Sequence, residues 1–185
     1  MTNTKQGVLL FFAGLFLIFS FSFWRFYRAR ILSFSQAYPE QKQEETKVET
    51  SRPTFIEIPS VGIKLPVEES SIIDGVWQIS FKGASHLDKS ARPGENGNVV
   101  IYGHNKNEIF GAIRWLKEGD TIKVKNEEGK EYMYRIVKTL ITNPNDIQYV
   151  LPKDKETLTL YTCTGFLDSK RYIVIAESAP VEEKP

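Results

Sequence analysis

The chain contains little cysteine and little histidine. Among its 185 residues, Cys163 is the only cysteine, and His86 and His104 are the only histidines. A single cysteine excludes an intramolecular disulfide, and this set is too small for an ordinary Cys/His zinc site. The acidic residues show no calcium-loop spacing. We therefore expect neither a metal nor a cofactor.

An excess of positive charge is also absent. From Arg52 onward, 18 Lys and Arg residues stand against 19 Asp and Glu, a net charge of −1. Proteins that bind nucleic acid usually present a basic surface to the phosphates. The charge balance therefore predicts no nucleic-acid partner.

One long apolar run is present near the amino terminus. Residues 7–24 carry no charged side chain and include six of the 12 phenylalanines. A helix of that length rises about 27 Å, close to the hydrocarbon thickness of a bilayer. Trp24, Arg25 and Tyr27 follow in place of a small-residue cleavage site, and they suit a membrane interface. The pattern predicts a retained transmembrane helix over 7–24 after a short cytoplasmic tail, 1–6.

A polar stretch separates this run from the rest of the chain. Residues 33–53 are rich in Gln, Glu, Thr and Lys and show no apolar periodicity. A segment of that composition cannot bury a core, so we expect a polar linker over 25–53. A charged tail is expected over 179–185.

From Thr54 onward the pattern is typical of an all-β domain, with short apolar runs separated by Gly, Pro, Asn and Asp. Strands are predicted at 55–58, 63–67, 99–102, 121–124, 131–141, 157–163 and 171–176, with a hairpin turn at 126–129. Short helices are predicted at 83–89, 107–116 and 144–150. About seven or eight strands are enough to close one small barrel or sandwich.

The last two predicted strands bring a thiol and a guanidinium together. Alternation along 157–163 places Cys163 on the face opposite Leu158 and Leu160. If the two strands form an antiparallel hairpin, Cys163 lies opposite Arg171, with Cβ atoms about 5 Å apart. An arginine there can favour the thiolate and stabilise an oxyanion. The alternative is a buried, inert cysteine beside an arginine at a strand end.

A thiol nucleophile needs a proton shuttle, and the two histidines are the candidates. His104 follows an apolar strand that ends at Gly103, so its ring should emerge at a strand terminus. His86 lies in the predicted helix 83–89. A structural role is the alternative for either residue.

Four segments, in this order, resemble the sortase family. They are RPGENGN (92–98), VIYGHN (100–105), the strand 119–125 that begins with Gly-Asp, and TLTLYTC (157–163) followed by RYIV (171–174). In sortases the corresponding pieces read approximately PGExGN, a strand ending in GH, TLxTC, and a strand that begins with Arg. The resemblance covers about 54–178. It implies a closed β-barrel of about eight strands with short helices as the catalytic domain, preceded by one transmembrane helix.

The resemblance also implies the activity of a cysteine transpeptidase. Cys163 corresponds to the nucleophile, His104 to the residue that protonates the leaving amine and activates the incoming one, and Arg171 to the residue that stabilises the oxyanion. Thr162 is a candidate substrate-binding residue. His86 is either structural or close to the substrate, because some sortases carry a histidine before the PGExGN turn.

The implied substrates are LPXTG-like sorting signals of surface proteins. The thiolate would attack the Thr carbonyl, and an amine of a cell-wall precursor or a pilin-type lysine would resolve the thioacyl enzyme. The short loop 164–170 and the lack of a second apolar run after Ile175 fit a class D-like or housekeeping sortase.

The function and the local charges disagree about orientation. Arg25, Arg28 and Arg30 outnumber Lys5 and the amino terminus, which by the positive-inside rule places the large domain in the cytoplasm. Sorting signals and wall acceptors are met outside the membrane. We therefore expect a single-pass cell-membrane protein with an extracytoplasmic catalytic domain.

Two alternatives keep the same barrel. In the first, the Cys/His/Arg set serves a membrane-tethered cysteine hydrolase or a peptidoglycan transpeptidase. In the second, the domain is an extracytoplasmic binding module in which Cys163 is inert packing. Transfer of the acyl group to a peptide amine tests the first alternative, and alkylation of the thiol tests the second.

Overall fold

A computed structural model describes residues 2–39 and 51–180, which divide into one unit ending at Ile31 and one beginning at Leu32. The first unit is helix α1, Thr2–Ala29. Its segment Gln6–Trp24 has a mean hydropathy of 2.2 and is long and apolar enough to cross a membrane. The helix extends beyond the predicted 7–24 at both ends, and no proline interrupts it.

The second unit is built on ten strands. They are β1 (Pro53–Ile58), β2 (Ile63–Ser70), β3 (Ile72–Ile73), β4 (Val76–Trp77), β5 (Ala84–Leu87), β6 (Asn98–Tyr102), β7 (Thr121–Asn126), β8 (Glu131–Thr142), β9 (Thr157–Thr164) and β10 (Lys170–Ala179). Eight of them close a barrel in the order β1-β2-β5-β6-β9-β10-β8-β7, and β3 pairs with β4. The predicted barrel of about eight strands is confirmed.

The predicted helix at 83–89 is wrong, because this stretch contains strand β5 and all four residues of the strand are buried. β5 pairs in parallel with β2 and antiparallel with β6, so tertiary pairing overrides the local helical signal. The other two predicted helices are reduced to the 3₁₀ turns Gly111–Trp115 and Ile147–Tyr149.

The barrel interior is filled by apolar side chains on alternating positions of the strands. On β7 these are Ile122 and Val124, and on β9 they are Leu158 and Leu160. Because successive side chains point to opposite faces of a strand, the positions between them face the outside of the barrel wall. The parity of a residue, meaning whether its number is odd or even along its strand, therefore determines whether its side chain faces the barrel interior or the outside.

A second, aromatic cluster covers part of the outer wall. Tyr102 and Tyr161 stack with ring centroids 5.1 Å apart, and Trp77 packs edge-on against both. Phe34 and Tyr38, which belong to the chain segment 32–38, pack their rings against Trp77.

Segment 32–38 corrects the prediction of a linker over 25–53. Leu32, Phe34 and Tyr38 in this segment are buried, at 2, 3 and 9% exposure. The Ser33 hydroxyl accepts a hydrogen bond from the backbone N–H of Trp77 at 3.0 Å. The apolar residues are few, but they reach the aromatic cluster of the barrel wall, so the segment folds onto the domain. The remainder of the predicted linker, 40–50, and most of the predicted tail, 181–185, lie outside the described residues.

Candidate active site

Three adjacent strands bring the three predicted catalytic residues to one level of the barrel wall. β9 pairs antiparallel with β10, with Cys163 directly opposite Arg171, as the hairpin prediction expected. β9 also pairs in parallel with β6, and that register ends at Tyr102 opposite Tyr161. His104 follows Tyr102 by two residues, and Cys163 follows Tyr161 by two residues. Neighbouring strands lie about 4.8 Å apart, so the histidine and the arginine flank the thiol.

Parity places this set on the outer face of the wall. Leu158 and Leu160 of β9 point into the core, and Cys163 has the opposite parity, like Tyr161. In β10, Val174 and Ala176 belong to the core, which puts Arg171 on the outside as well. The site is therefore built on the outer surface of the barrel.

The backbone around His104 is held on both sides. The Gly103 N–H donates to Tyr161 at 3.2 Å, and the Thr162 hydroxyl donates to the Gly103 carbonyl at 2.7 Å. The His104 carbonyl accepts the N–H groups of Lys106 and Phe110, at 2.8 and 3.1 Å. A Cβ at Gly103 would lie 2.9 Å from Ile109, so only glycine fits this close approach.

The Arg171 side chain is buried, with 2% exposure, and is oriented by backbone carbonyls. Nη1 donates to Asp168 and Lys170 at 3.1 and 3.0 Å. Nη2 donates to Ser33 in segment 32–38 at 2.8 Å. Three backbone carbonyls thus fix the plane of the guanidinium.

Cys163 is also buried, with 2% exposure. Burial raises the pKa of its thiol to about 12, the Arg171 guanidinium opposes this rise, and Asp168 adds to it. The thiol is thus protonated at neutral pH in this state. Arg171 favours the thiolate, as expected, but desolvation has the larger effect on the thiol pKa.

The loop that joins the two strands of the site is strained and apolar. Leu167 and Asp168 have φ values of 51° and 59°, in the left-handed region that disfavours residues with a Cβ. Phe166 and Leu167 are 85 and 69% exposed. Residues with φ above zero cluster at ligand-binding sites, where the surrounding structure holds them.

The two predicted substrate-binding residues are both buried. Thr162 has 1% exposure and inward parity, and its hydroxyl is committed to Gly103. His86 has 0% exposure, and its Nε2 lies 3.1 Å from the Ala91 carbonyl and 3.2 Å from the Ser90 hydroxyl. Of the two roles open for His86, this packing favours the structural one. Contact of either residue with substrate stays a prediction.

Two neighbours of the site were not predicted from the sequence. Ser33, which holds Arg171, lies in a stretch interpreted as linker, although Leu32 and Phe34 already alternate with serines in the manner of a half-buried strand. Phe81 lies beside the His104 ring, with centroids 5.4 Å apart. A phenylalanine between Ser80 and Lys82 carries no sequence signal of its own.

Within residues 2–39 and 51–180, no three His, Cys, Asp or Glu side chains gather as a metal site would require. The chemistry that the arrangement can perform is nucleophilic attack by a thiol beside one imidazole and one fixed cation.

The barrel domain is similar to known proteins. Residues 56–179 match the Sortase domain family. Sortase D of Bacillus subtilis (strain 168) is 34% identical over 125 residues, a match that covers 65% of this chain and 60% of the Bacillus protein. The chain therefore spans less than two thirds of the length of that curated relative.

Two solved structures have the same barrel. The Clostridium perfringens sortase D5 transpeptidase superposes with a TM-score of 0.61 at 30% identity, covering 72% of this chain and 83% of that one. A Clostridium perfringens sortase C, solved with a C-terminal cell wall sorting motif, gives a TM-score of 0.60 at 24% identity, covering 77 and 79% of the two chains. With the Sortase domain match extending over most of the chain, these findings show that the protein belongs to the sortase family.

Proposed function

We propose that this chain is a membrane-anchored cysteine transpeptidase that acts on LPXTG-like sorting signals through a thioacyl intermediate. The observation that carries the proposal is the register of β6, β9 and β10. In this register Arg171 lies opposite Cys163, the only cysteine of the chain, and His104 follows Tyr102 by two residues as Cys163 follows Tyr161, which supports the proposal. The match to the Sortase domain and the two sortase D relatives support the same reaction class.

In this mechanism His104 takes the proton of Cys163 as the sulfur attacks the Thr carbonyl of the sorting signal. The tetrahedral oxyanion is stabilised by the Arg171 guanidinium, whose orientation three backbone carbonyls fix. Collapse breaks the peptide bond, and His104 gives its proton to the leaving amine. An incoming amine then loses a proton to His104, attacks the thioester and regenerates the thiol.

The substrate assignment rests on likeness to other sortases. The Clostridium perfringens sortase C was solved with a sorting motif, and it has the same fold as this chain. The exposed Phe166 and Leu167, next to the strand that carries Cys163, offer an apolar surface of the kind that suits an LP-containing peptide. The acceptor is an amine of a cell-wall precursor or a pilin-type lysine.

Helix α1 supplies the membrane anchor in this proposal, with the amino terminus inside and the barrel outside. Its segment Gln6–Trp24 meets the length and hydropathy of a membrane span. Reporter fusions at Pro185 test the orientation. Activity of an export-dependent phosphatase supports it, whereas a signal only from a cytoplasmic reporter overturns it.

The decisive experiment incubates the full chain, in detergent micelles with chelator, with LPXTG-like peptides and several amines. Mass spectrometry should find the peptide cut after Thr and joined to an amine, and a Cys163 adduct before the amine is added. Cys163→Ala should give neither product. If water alone accepts the acyl group in the presence of saturating amine, the protein is a hydrolase. Loss of activity in chelator with recovery on adding calcium would show that a metal site had been missed.

One observation favours the binding-module alternative, namely the burial of Cys163 and its raised thiol pKa. Iodoacetamide distinguishes the two functions without a substrate. A nucleophilic Cys163 reacts, and the reaction slows in His104→Ala, whereas an inert thiol resists alkylation in both proteins.

A further inference from the structure

The three carbonyls that orient Arg171 come from two different parts of the chain. Asp168 and Lys170 precede it by three positions and one position, so both belong to the loop that leads into its strand. Ser33 lies 138 positions away, and its carbonyl accepts Nη2–H at 2.8 Å, the shortest of the three bonds. The loop carbonyls move together with Arg171. Of the three bonds, the one to Ser33 therefore fixes the guanidinium against another part of the fold.

Ser33 can serve as a fixed acceptor because hydrogen bonds hold the chain around it. Its own hydroxyl accepts the backbone N–H of Trp77, in β4, at 3.0 Å. Two positions further, the Ser35 N–H donates to the carbonyl of Pro144, which follows β8, at 2.9 Å. Two separate parts of the domain thus hold the backbone that presents the carbonyl.

The residues on either side of Ser33 are buried against the aromatic cluster. Phe34 is 3% exposed and packs on Trp77 and Tyr161, with centroids 5.4 and 5.2 Å apart. The Tyr161 hydroxyl donates to the Leu32 carbonyl at 3.2 Å. The Phe34 ring also lies 6.0 Å from Cζ of Arg171, at the limit of the distance at which a ring attracts a cation. The segment therefore meets the guanidinium with a carbonyl and with an aromatic ring.

The same guanidinium keeps one buried donor without an acceptor. Nε of Arg171 makes no hydrogen bond to any of the described residues. A buried donor in this state costs free energy, and an exception of this kind calls for an explanation such as a role in a reaction. Cys163 lies directly opposite Arg171 in the register of β9 and β10. An oxyanion formed beside its sulfur is the acceptor that the proposed reaction supplies.

We infer that Ser33 is a positioning residue for Arg171. Its carbonyl, held in place by the bond between its hydroxyl and Trp77, keeps the guanidinium turned so that Nε–H reaches the oxyanion. The inference rests on the proposed function. Ser33 acts through Arg171 and does not bind substrate, so its loss should lower kcat and leave KM nearly unchanged. A misplacement of about 1 Å in a catalytic group can cost up to about 100-fold in rate.

The test uses the full chain in detergent micelles with three substitutions in segment 32–38. Ser33→Ala removes the hydroxyl that holds the carbonyl, and Ser33→Thr keeps a hydroxyl at the same position. Ser35→Ala is the matched control, because it removes an exposed hydroxyl from the same segment and keeps the backbone bond to Pro144. Each substitution is also made in the Arg171→Ala background. Thermal unfolding gives the folded fraction by which turnover is corrected.

The kinetic result should separate an effect through Arg171 from a general loss of packing. Ser33→Ala should lower kcat about 10-fold with KM within twofold. Ser33→Thr should restore most of kcat, and Ser35→Ala should stay within twofold of the wild type. In the Arg171→Ala background, Ser33→Ala should cause no further loss, because the group that it orients is gone.

A spectroscopic measurement reports the orientation of the guanidinium without substrate. A guanidinium held by hydrogen bonds turns slowly about its Cζ–Nη bonds, so NMR of a chain labelled with ¹⁵N at arginine should resolve separate Nη1 and Nη2 signals for Arg171. Their absence in Arg171→Ala assigns them. The two signals should merge in Ser33→Ala and remain separate in Ser33→Thr and Ser35→Ala.

Other outcomes overturn the inference. An equal fall in kcat with and without the Arg171 side chain means that Ser33 acts through the fold alone. Unchanged kcat in Ser33→Ala removes Ser33 from the mechanism, and a higher kcat means that the segment restrains the site. If the wild-type chain transfers no acyl group, the proposed function fails and the NMR signals decide whether Ser33 orients Arg171. Merging in Ser33→Ala with separation in Ser33→Thr then supports that role, and unchanged signals refute it.

Discussion

The barrel wall carries its two histidines in opposite surroundings. His86, on β5, pairs with Ile101 of the core-facing set, has no exposed surface and is held by Ala91 and Ser90. His104 lies just past the end of β6, half-buried beside the exposed Phe81. The same type of side chain thus serves packing on the inner face and lies at the end of β6, near the level of Cys163, on the outer face. In the proposed mechanism, position relative to the wall, more than residue type, separates the catalytic histidine from the structural one.

The comparison is tested most directly by replacing each of the two histidines with alanine in turn. His104→Ala should lower acyl transfer at least ~100-fold, the cost of losing an acid/base group, and should leave the thermal midpoint nearly unchanged. His86→Ala should do the reverse. It removes buried hydrogen bonds and leaves a cavity, so unfolding becomes easier by about 2 kcal/mol while turnover per folded molecule stays within a few-fold. Turnover corrected for the folded fraction is the measurement.

Near wild-type turnover in His104→Ala would remove His104 from the mechanism. A large loss in His86→Ala at unchanged stability would instead move the catalytic role to the inner histidine.

Substitution of Arg171 provides a second test of the residues on the outer face. Arg171→Ala should cost about 100-fold in kcat, as expected for one oxyanion donor. Arg171→Lys should not restore it, because an ammonium cannot reproduce a planar group that donates to Ser33, Asp168 and Lys170 at once. Steady-state kinetics of both variants provide the test. Substantial recovery with Lys would reduce the role of Arg171 to its charge.

Much of this site could be predicted from the sequence, because its geometry depends on strand parity and hairpin register. The pairing of Cys163 with Arg171 follows from two strands joined by a short loop. β5 was not predictable in the same way, since its pairing with β2 is parallel and distant in the chain. Local patterns do not report such contacts.

The contribution of segment 32–38 was also missed. Three buried apolar side chains among polar neighbours do not make a core by themselves. Phe34 packs against Trp77 and Tyr161, and Tyr38 packs against Trp77. Phe81 was missed for the same reason, because the His104 ring that it contacts lies 23 positions further along the chain.

Segment 32–38 gives a stability test on the side of the barrel that carries Arg171. Phe34 is 3% exposed against Trp77 and Tyr161, so Phe34→Ala should cost about 3 to 5 kcal/mol of unfolding free energy. Phe166→Ala, at 85% exposure, is the matched control and should change little. Denaturant unfolding of the full chain measures both. Equal midpoints for the two variants would show that the segment does not pack on the barrel in solution.

The last test concerns the pH dependence of stability on the inner face. Burial lowers the pKa of His86 to about 4, below the value near 6.5 of an unfolded histidine. Glu69 lies 4.0 Å from its Nδ1 and Arg92 lies nearby, but a neutral imidazole forms no ion pair with that carboxylate. Between these two pKa values the unfolded chain binds a proton that the folded chain does not.

The unfolding free energy should therefore fall as the pH drops from about 6.5 to about 4, by at most about 3 kcal/mol from this residue, and His86 should contribute no further change at lower pH. His86→Gln keeps polar atoms for Ala91 and Ser90 but cannot titrate. As the pH falls over that interval, the difference in stability between wild type and His86→Gln should shrink, because only the wild type loses the contribution of His86. The carboxylates titrate alike in both proteins and cancel in the difference. If the wild-type slope persisted in His86→Gln, the buried histidine would not be its source.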